Sequence, residues 1–363
     1  MTLPFHLLMK RVIHHKFGFN SRLLTSNCEI AHYSIARSEG LFRHTPLIKI
    51  KQNGVLYHFK LENLQYSGSF KDRGIGYMIH QLLAQNPISP AGGGESGGTR
   101  RNPISHVICS SGGNAGLAAA FACQKLNIPI DIYCPKTTLD ITINKMKIYG
   151  AKVNVIGENW NEADNAARAA LNKINTAVYI PPFDHPLIFY GNSSLIDEIR
   201  SDADCKIDAI VVTCGGGGLL SGVLQGCKRF GMYDTDILVA ETEGAASYAA
   251  AKKNDKPTSI QKISTIATTL GALCVTEEVM KYKDINTISV VVTDRQALMG
   301  CLGFANDYRL LVEPAAGAGL SIIYDSQLNQ KYIKDKYKNV VVIVCGGSSV
   351  NIDLLNHWKK TVI

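Results

Sequence analysis

The ten cysteines of this 363-residue chain include no CxxC pair, which excludes a zinc ribbon and a thioredoxin-type redox pair. Scattered as they are, they read as small buried hydrophobes in a reducing compartment. No HExxH occurs and none of the ten histidines falls within a motif, so neither a zinc peptidase nor a histidine-centred triad has support. No apolar run reaches the ~18 residues of a membrane span, and a soluble protein without a membrane partner is expected. Acidic residues are absent from positions 1–28, which carry Lys10, Arg11, Lys16 and Arg22. Half of the formal net charge of +8 therefore precedes the first motif instead of lining a structured face, and a nucleic-acid partner is not expected. A basic, Ser-containing start fits a mitochondrial transit segment and a frayed cytosolic tail equally well. The cytoplasm is the expected location, with the mitochondrial matrix as the alternative.

What is present is an ordinary globular balance of 46% hydrophobic and 19% charged residues, on a length that suggests two domains or one large one. Residues 55–61 read as a strand and 72–85 as a helix. Residues 89–103 form a Gly-, Ser- and Pro-rich insertion expected to be a flexible surface loop. Its formal GxGxxG at Gly92, Gly94 and Gly97 is spurious, because a helical segment and Pro90 precede it where a dinucleotide fingerprint needs a strand. Beyond it the pattern of apolar run, Gly-rich turn and helix recurs: strand 106–109 and helix 114–126, then 128–133 and 141–149, then 152–156 and 161–174. Residues 209–213, 237–240 and 340–344 are further buried-strand candidates. Strands that are apolar throughout and alternate with helices imply parallel sheets covered on both faces. That is a doubly wound α/β architecture, with ligands at the carboxyl ends of the strands.

Four segments carry chemistry. Ser67-Gly68-Ser69-Phe70-Lys71-Asp72-Arg73-Gly74 puts one lysine at the end of a strand, inside a small-residue turn, where an amine can be held against a flat cofactor. A lone lysine in such a turn is more often a surface charge; the apolar and small neighbours of Lys71 argue against that. Cys214-Gly215-Gly216-Gly217-Gly218-Leu219 follows a strand and opens a helix, so its backbone N–H groups can converge on an anion such as a phosphate. A nucleotide P-loop would need a GK[ST] ending, and this chain has Leu219-Leu220-Ser221. Ser110-Ser111-Gly112-Gly113-Asn114-Ala115-Gly116 also joins strand to helix, serving as a capping turn or as a carboxylate site, or as both. Cys345-Gly346-Gly347-Ser348-Ser349 ends an apolar run near the C-terminus.

In this order the four segments resemble the fold-type II pyridoxal-phosphate (PLP) enzymes, and most closely the serine/threonine dehydratases, above all L-serine dehydratase. The likeness covers roughly residues 40–356 and includes Tyr179-Ile180-Pro181-Pro182-Phe183-Asp184 and Val312-Glu313-Pro314-Ala315-Ala316-Gly317. It implies a tryptophan synthase β-like fold: two doubly wound open-sheet lobes with the cofactor between them. After a basic tail at 1–32, the large lobe would comprise 33–71 and 184–363, and the small lobe 72–183 with its insertion. Lys71 would form the Schiff base with PLP, Phe70 would pack near the ring, and Gly215, Gly216, Gly217, Gly218 and Leu219 would cradle the phosphate. Ser110, Ser111, Gly112 and Asn114 would receive the substrate carboxylate, Asn114 would also reach the cofactor's 3′-oxygen, and Cys345 would face the pyridine nitrogen. Backbone carbonyls of Ala245, Leu270 and Ala272, with Glu241 and Ser247, would hold a monovalent cation such as K+.

The activity implied is β-elimination of L-serine to pyruvate and ammonia, and of L-threonine to 2-oxobutanoate, by a homodimer. Serine racemase, threonine synthase and a PLP-binding sensor without turnover are the alternatives. Serine racemases read SSGNHG and carry a hydroxyl where Gly112 has no side chain, so elimination is expected over racemisation. Asp72-Arg73 is closer to threonine synthases, and Gly191-Asn192 stands where dehydratases often have Gly-His. The chain ends soon after the Cys345 turn, so no C-terminal regulatory domain is expected and a degradative role is favoured.

Overall fold

A computed structural model describes residues 36–85 and 103–362. The 1–32 tail and all but the last residue of the 89–103 insertion lie outside the described residues. Ten strands form two sheets: β1 (Leu47–Gln52), β2 (Val55–Lys60), β3 (His106–Cys109), β4 (Ile130–Cys134), β5 (Lys152–Val155), β6 (Ala177–Ile180), β7 (Ala209–Thr213), β8 (Asp236–Thr242), β9 (Thr287–Val292) and β10 (Asn339–Ile343). One sheet has the order β1-β2-β10-β7-β8-β9, the other β5-β4-β3-β6. All pairings but one are parallel. The exception corrects the all-parallel expectation: β1 pairs antiparallel with β2 through a two-residue turn. Asn53 (φ 50°) and Gly54 (φ 83°) are both left-handed there, the backbone a tight hairpin needs.

The helices that bear on the site are α1 (Lys71–Gln85), α2 (Asn114–Lys125), α3 (Asp140–Ile148), α4 (Trp160–Leu171), α5 (Pro186–Asp202), α6 (Gly218–Arg229), α7 (Ser247–Asn254), α8 (Asp294–Tyr308) and α9 (Pro314–Tyr324). β7 is Ala-Ile-Val-Val-Thr and buried at every position; β-branched side chains packed on both faces suit a central parallel strand. Two apolar cores result, one around β7, β8 and β10, the other around β3, β4 and α2.

A buried ionic network joins α1 to β2 and α5. Arg73 makes paired bonds to Glu62 (2.7 and 2.7 Å) and to Glu198 (2.8 and 2.7 Å), and Lys60 bonds Glu198 at 2.8 Å. Lys60 and the Arg73 and Glu62 side chains are fully buried. Removing one partner would strand a charge at a cost of about 3–5 kcal/mol. The network fixes the start of α1, and with it Lys71. The lysine itself does not end a strand: β2 stops at Lys60, a single 3-10 turn (Glu62–Leu64) follows, and Lys71 is the first residue of α1.

Candidate active site

The turn before Lys71 is stitched to the C-terminal turn. Ser69 bridges Gly346, Phe70 N–H donates to Cys345 O (3.0 Å), and Gly347 N–H donates to Gly68 O (3.0 Å). Gly68 has φ +95°, and a Cβ there would already touch Ser348 Cβ at 3.0 Å, so glycine is required by both conformation and space. Lys71 Nζ donates to Pro182 O (2.8 Å) and lies 4.9 Å from the Phe70 ring centroid. Burial lowers the pKa of its amine to about 8, against the opposing pull of Cys345, Glu313 and Cys109. Such an amine is available as a nucleophile and base near neutrality.

Cys345 follows β10, and its Sγ accepts from Thr213 Oγ1 at 3.3 Å. Burial pushes its thiol up to about 12, so it presents a neutral group. Gly215, Gly216 and Gly217 link β7 to α6, which opens at Gly218 with Leu219 second. Gly217 is left-handed (φ +92°), and a Cβ on Gly216 would meet the Phe183 ring at 2.4–2.5 Å. The first N–H groups of α6 have no partner inside the helix and are of the kind that can receive an anion. Asn192 Nδ2 donates to Gly218 O at 3.0 Å, so the residue standing in place of histidine pins the end of this loop.

The loop after β3 begins at Ser110. Its hydroxyl is fully buried, donates to Asp164 Oδ1 (2.6 Å) and lies 2.6 Å from the Tyr179 hydroxyl. These bonds anchor the start of the loop to α4 and β6. Trp160 Nε1 adds a bond to Ser110 O at 2.6 Å. Ser111 Oγ accepts only a long bond from Gly113 N–H (3.3 Å) and keeps capacity for a ligand. Gly112 packs on Thr138: a Cβ there would lie 2.3 Å from Thr138 Oγ1. The Asn114 amide is held at both ends, by Glu313 Oε1 (2.8 Å) and by the Ser348 hydroxyl.

The expected cation ligands gather behind the glycine loop without forming an acidic cage. Both Glu241 oxygens accept backbone N–H groups at the start of α7, from Tyr248 (2.7 Å) and Ala249 (2.8 Å). Burial raises this carboxyl to about 7. Ser247 Oγ donates to Gly215 O (3.2 Å), a Cβ on Gly215 would meet Leu270 O at 3.2 Å, Ala272 N–H donates to Leu270 O (2.7 Å), and Ala245 is buried. Among the described residues no group of three or more His, Cys, Asp or Glu is placed to hold a metal. Glu313 and Asp164 were not singled out from sequence. The only signal for Glu313 was its place in the Val312–Gly317 match, and nothing local marked Asp164.

A buried amine of lowered proton affinity, a neutral thiol and a glycine cradle are the donor set that pyridoxal phosphate needs for its aldehyde, its pyridine nitrogen and its phosphate, and these residues fit it. Two open α/β sheets with this set in the turns that lead from their strands to helices define a fold-type II PLP enzyme. The comparisons agree: the profile of the pyridoxal-phosphate dependent enzyme family matches residues 39–346, and the chain belongs to that family. The L-serine dehydratase/L-threonine deaminase of Bos taurus is 39% identical over 316 residues, covering 85% of this chain and 91% of that one. The L-serine dehydratase of Dictyostelium discoideum is 38% identical over 320 residues, covering 86% and 88%. Among solved structures, an L-serine ammonia-lyase from Rhizomucor miehei superposes with a TM-score of 0.80 at 29% identity, covering 89% of this chain and 99% of that one.

Proposed function

We propose that this protein is an L-serine dehydratase that also accepts L-threonine. The observation that carries the reading is the Lys71 amine, buried and bonded to Pro182 O beside a neutral Cys345 and with no carboxylate in that thiol's place. Pyridoxal phosphate, when bound, supplies the electron sink for the pair left at the substrate Cα. Lys71 holds the cofactor, then takes the Cα proton. Gly215, Gly216, Gly217, Gly218 and Leu219 bind the phosphate, and Phe70 packs by the ring. Ser111 and Asn114, with the N–H groups of their loop, orient the carboxylate. The neutral Cys345 thiol gives the pyridine nitrogen no countercharge, which suits loss of the β-hydroxyl over longer-lived carbanion chemistry. Serine loses its β-hydroxyl and Cα proton as water; the enamine released takes up water to give pyruvate and ammonia.

The further parts of the reading are a small lobe at 72–183, K+ held through Glu241, Ala245, Ser247, Leu270 and Ala272, a homodimer, and a cytoplasmic place in amino-acid catabolism that feeds pyruvate to glucose synthesis. Among the described residues no helix is long and apolar enough to cross a membrane.

The test is a keto-acid assay with L-serine on enzyme whose bound-cofactor absorbance is recorded, beside Lys71→Ala. Wild type is expected to show both signals and the folded variant neither. Keto acid from that variant would sink the Lys71 assignment. D-serine as the main wild-type product would favour a racemase, and cofactor absorbance without turnover a sensor.

A further inference from the structure

Each carbonyl of the glycine loop is tied down. Gly215 O accepts from Ser247 Oγ (3.2 Å), Gly216 O from Thr276 N–H (3.0 Å), Gly217 O from Ser221 N–H (2.8 Å) and Gly218 O from Asn192 Nδ2 (3.0 Å). A trans peptide sets its N–H opposite its C=O, so these four bonds turn the N–H groups of Gly216, Gly217, Gly218 and Leu219 away from the donors. Thr276 and Ser221 act through backbone N–H groups that almost any residue would supply. Asn192 instead reaches out with a side chain from the middle of α5, and it is buried where three helices meet. A Cβ on Gly74 of α1 would lie 2.7 Å from Asn192 Oδ1, and a Cβ on Gly222 of α6 would lie 2.5 Å from Asn192 Cβ. Both helices thus approach α5 here more closely than side chains of their own would allow. A carbonyl only accepts, so the amide nitrogen is the atom that faces Gly218 O, and Oδ1 is left without a hydrogen-bond partner among the described residues. An apolar side chain of this size would fill the crossing without orphaning a buried oxygen, so packing alone does not account for an asparagine here.

We infer that Asn192 is a positioning residue for the cofactor phosphate: its amide holds the first turn of α6 against the helix that begins with Lys71. The inference rests on the PLP reading above. The aldehyde and the phosphate of the cofactor stand a fixed distance apart, so the amine that takes one and the loop that takes the other must be set at that span before binding. Lys71 has supports of its own, the Arg73 network and the Cys345 turn. The loop is held to α1 across Asn192. Release of Gly218 O lets the first turn of α6 shift, which spoils its alignment on a phosphate and leaves the amine in place.

The experiment titrates the full chain, freed of cofactor, with pyridoxal phosphate and separately with pyridoxal, which has the ring and aldehyde but no phosphate. The readout is the absorbance that grows as the Lys71 amine captures each compound. Asn192→Ala is expected to bind pyridoxal phosphate about tenfold more weakly than wild type and pyridoxal as well as wild type does. Asn192→Asp keeps the size of the side chain but sets an oxygen against Gly218 O, and it should show the same split. Equal losses for the two compounds overturn the inference, as does an unchanged affinity for pyridoxal phosphate in either folded variant. Failure of both variants to fold also overturns it, since Asn192 would then be a structural residue alone. Absence of capture by the wild type would instead sink the PLP reading itself.

Discussion

At Gly112 the space beside the loop after β3 is set by a side chain on a neighbouring segment. A Cβ added here would meet Thr138 Oγ1 at 2.3 Å, Thr138 Cγ2 at 2.7 Å and Cys134 Cβ at 3.0 Å. A serine hydroxyl at this position, as the racemases carry, would require Thr138 to give way first. Overpacking of this kind costs about 1–3 kcal/mol, here expressed as misplacement of the loop that holds Ser111 and Asn114. Gly112→Ala is therefore expected to raise KM for L-serine on the order of tenfold, and Thr138→Ala in the same chain to restore most of the loss. Steady-state kinetics on the four proteins of this cycle decide it: strictly additive effects would mean that the added methyl does not meet Thr138.

Among the elements, α4 does more than cover a sheet. Asp164 on that helix accepts from Ser110 Oγ at the end of β3, from the Tyr179 hydroxyl in β6 (2.5 Å), and from Arg168 Nε (2.7 Å). Burial alone would raise this carboxyl; the three donors outweigh it and lower it. One side chain thus fixes two neighbouring strand ends, one leading to Ser111 and Asn114, the other to Pro182 and Phe183. Asp164→Ala is expected to lose about 2–3 kcal/mol in denaturant unfolding, because Ser110 and Tyr179 lose their shared acceptor and keep only each other. KM for serine should rise with it. Stability lost with KM unchanged would confine Asp164 to the fold. At this scale the sequence was readable wherever an element is apolar: β3, β7 and the starts of α2 and α6 lie where the pattern put them. β1 escaped because its last four residues are exposed and carry Lys49 and Lys51, as an edge strand should, although Asn53-Gly54 announced the hairpin.

For the whole molecule, buried charge gives opposite dependences on pH. Burial raises Asp72 to about 7, against the opposing pull of Ser67, whose N–H donates to it at 2.8 Å, and of Arg43. A carboxyl raised in the folded chain binds more protons there than in the unfolded chain from about pH 4 to about pH 7, so stability falls as pH climbs through that window. Glu198 behaves the other way: burial alone would raise it, but Arg73 and Lys60 hold it at about 2. Its contribution is complete above the ordinary carboxylate range and is lost as pH drops toward about 2. Asp72→Asn keeps an acceptor for Ser67 and removes the titration. It is expected to be more stable than wild type at about pH 8, by at most about 4 kcal/mol, and to show a smaller difference at about pH 5. Urea unfolding at the two pH values measures this; an equal difference at both would mean that Asp72 does not titrate in the folded chain.

The sequence by itself determined the α/β class, the lysine turn, the glycine cradle and the Cys345 turn. Each of these is a local matter of apolar period, missing side chains and residues that follow one another. Only the tertiary structure decided which distant groups complete them. Asn114 and Glu313 stand 199 positions apart and Ser110 and Asp164 stand 54 apart, and no spacing rule reaches across such loops. Their hydrogen bonds form because two independently packed sheets bring strand ends together, and buried polar groups there must find partners among whatever has been brought near. The same packing anchored Ser110 to Asp164 and placed Lys71 in the first turn of a helix instead of at a strand end.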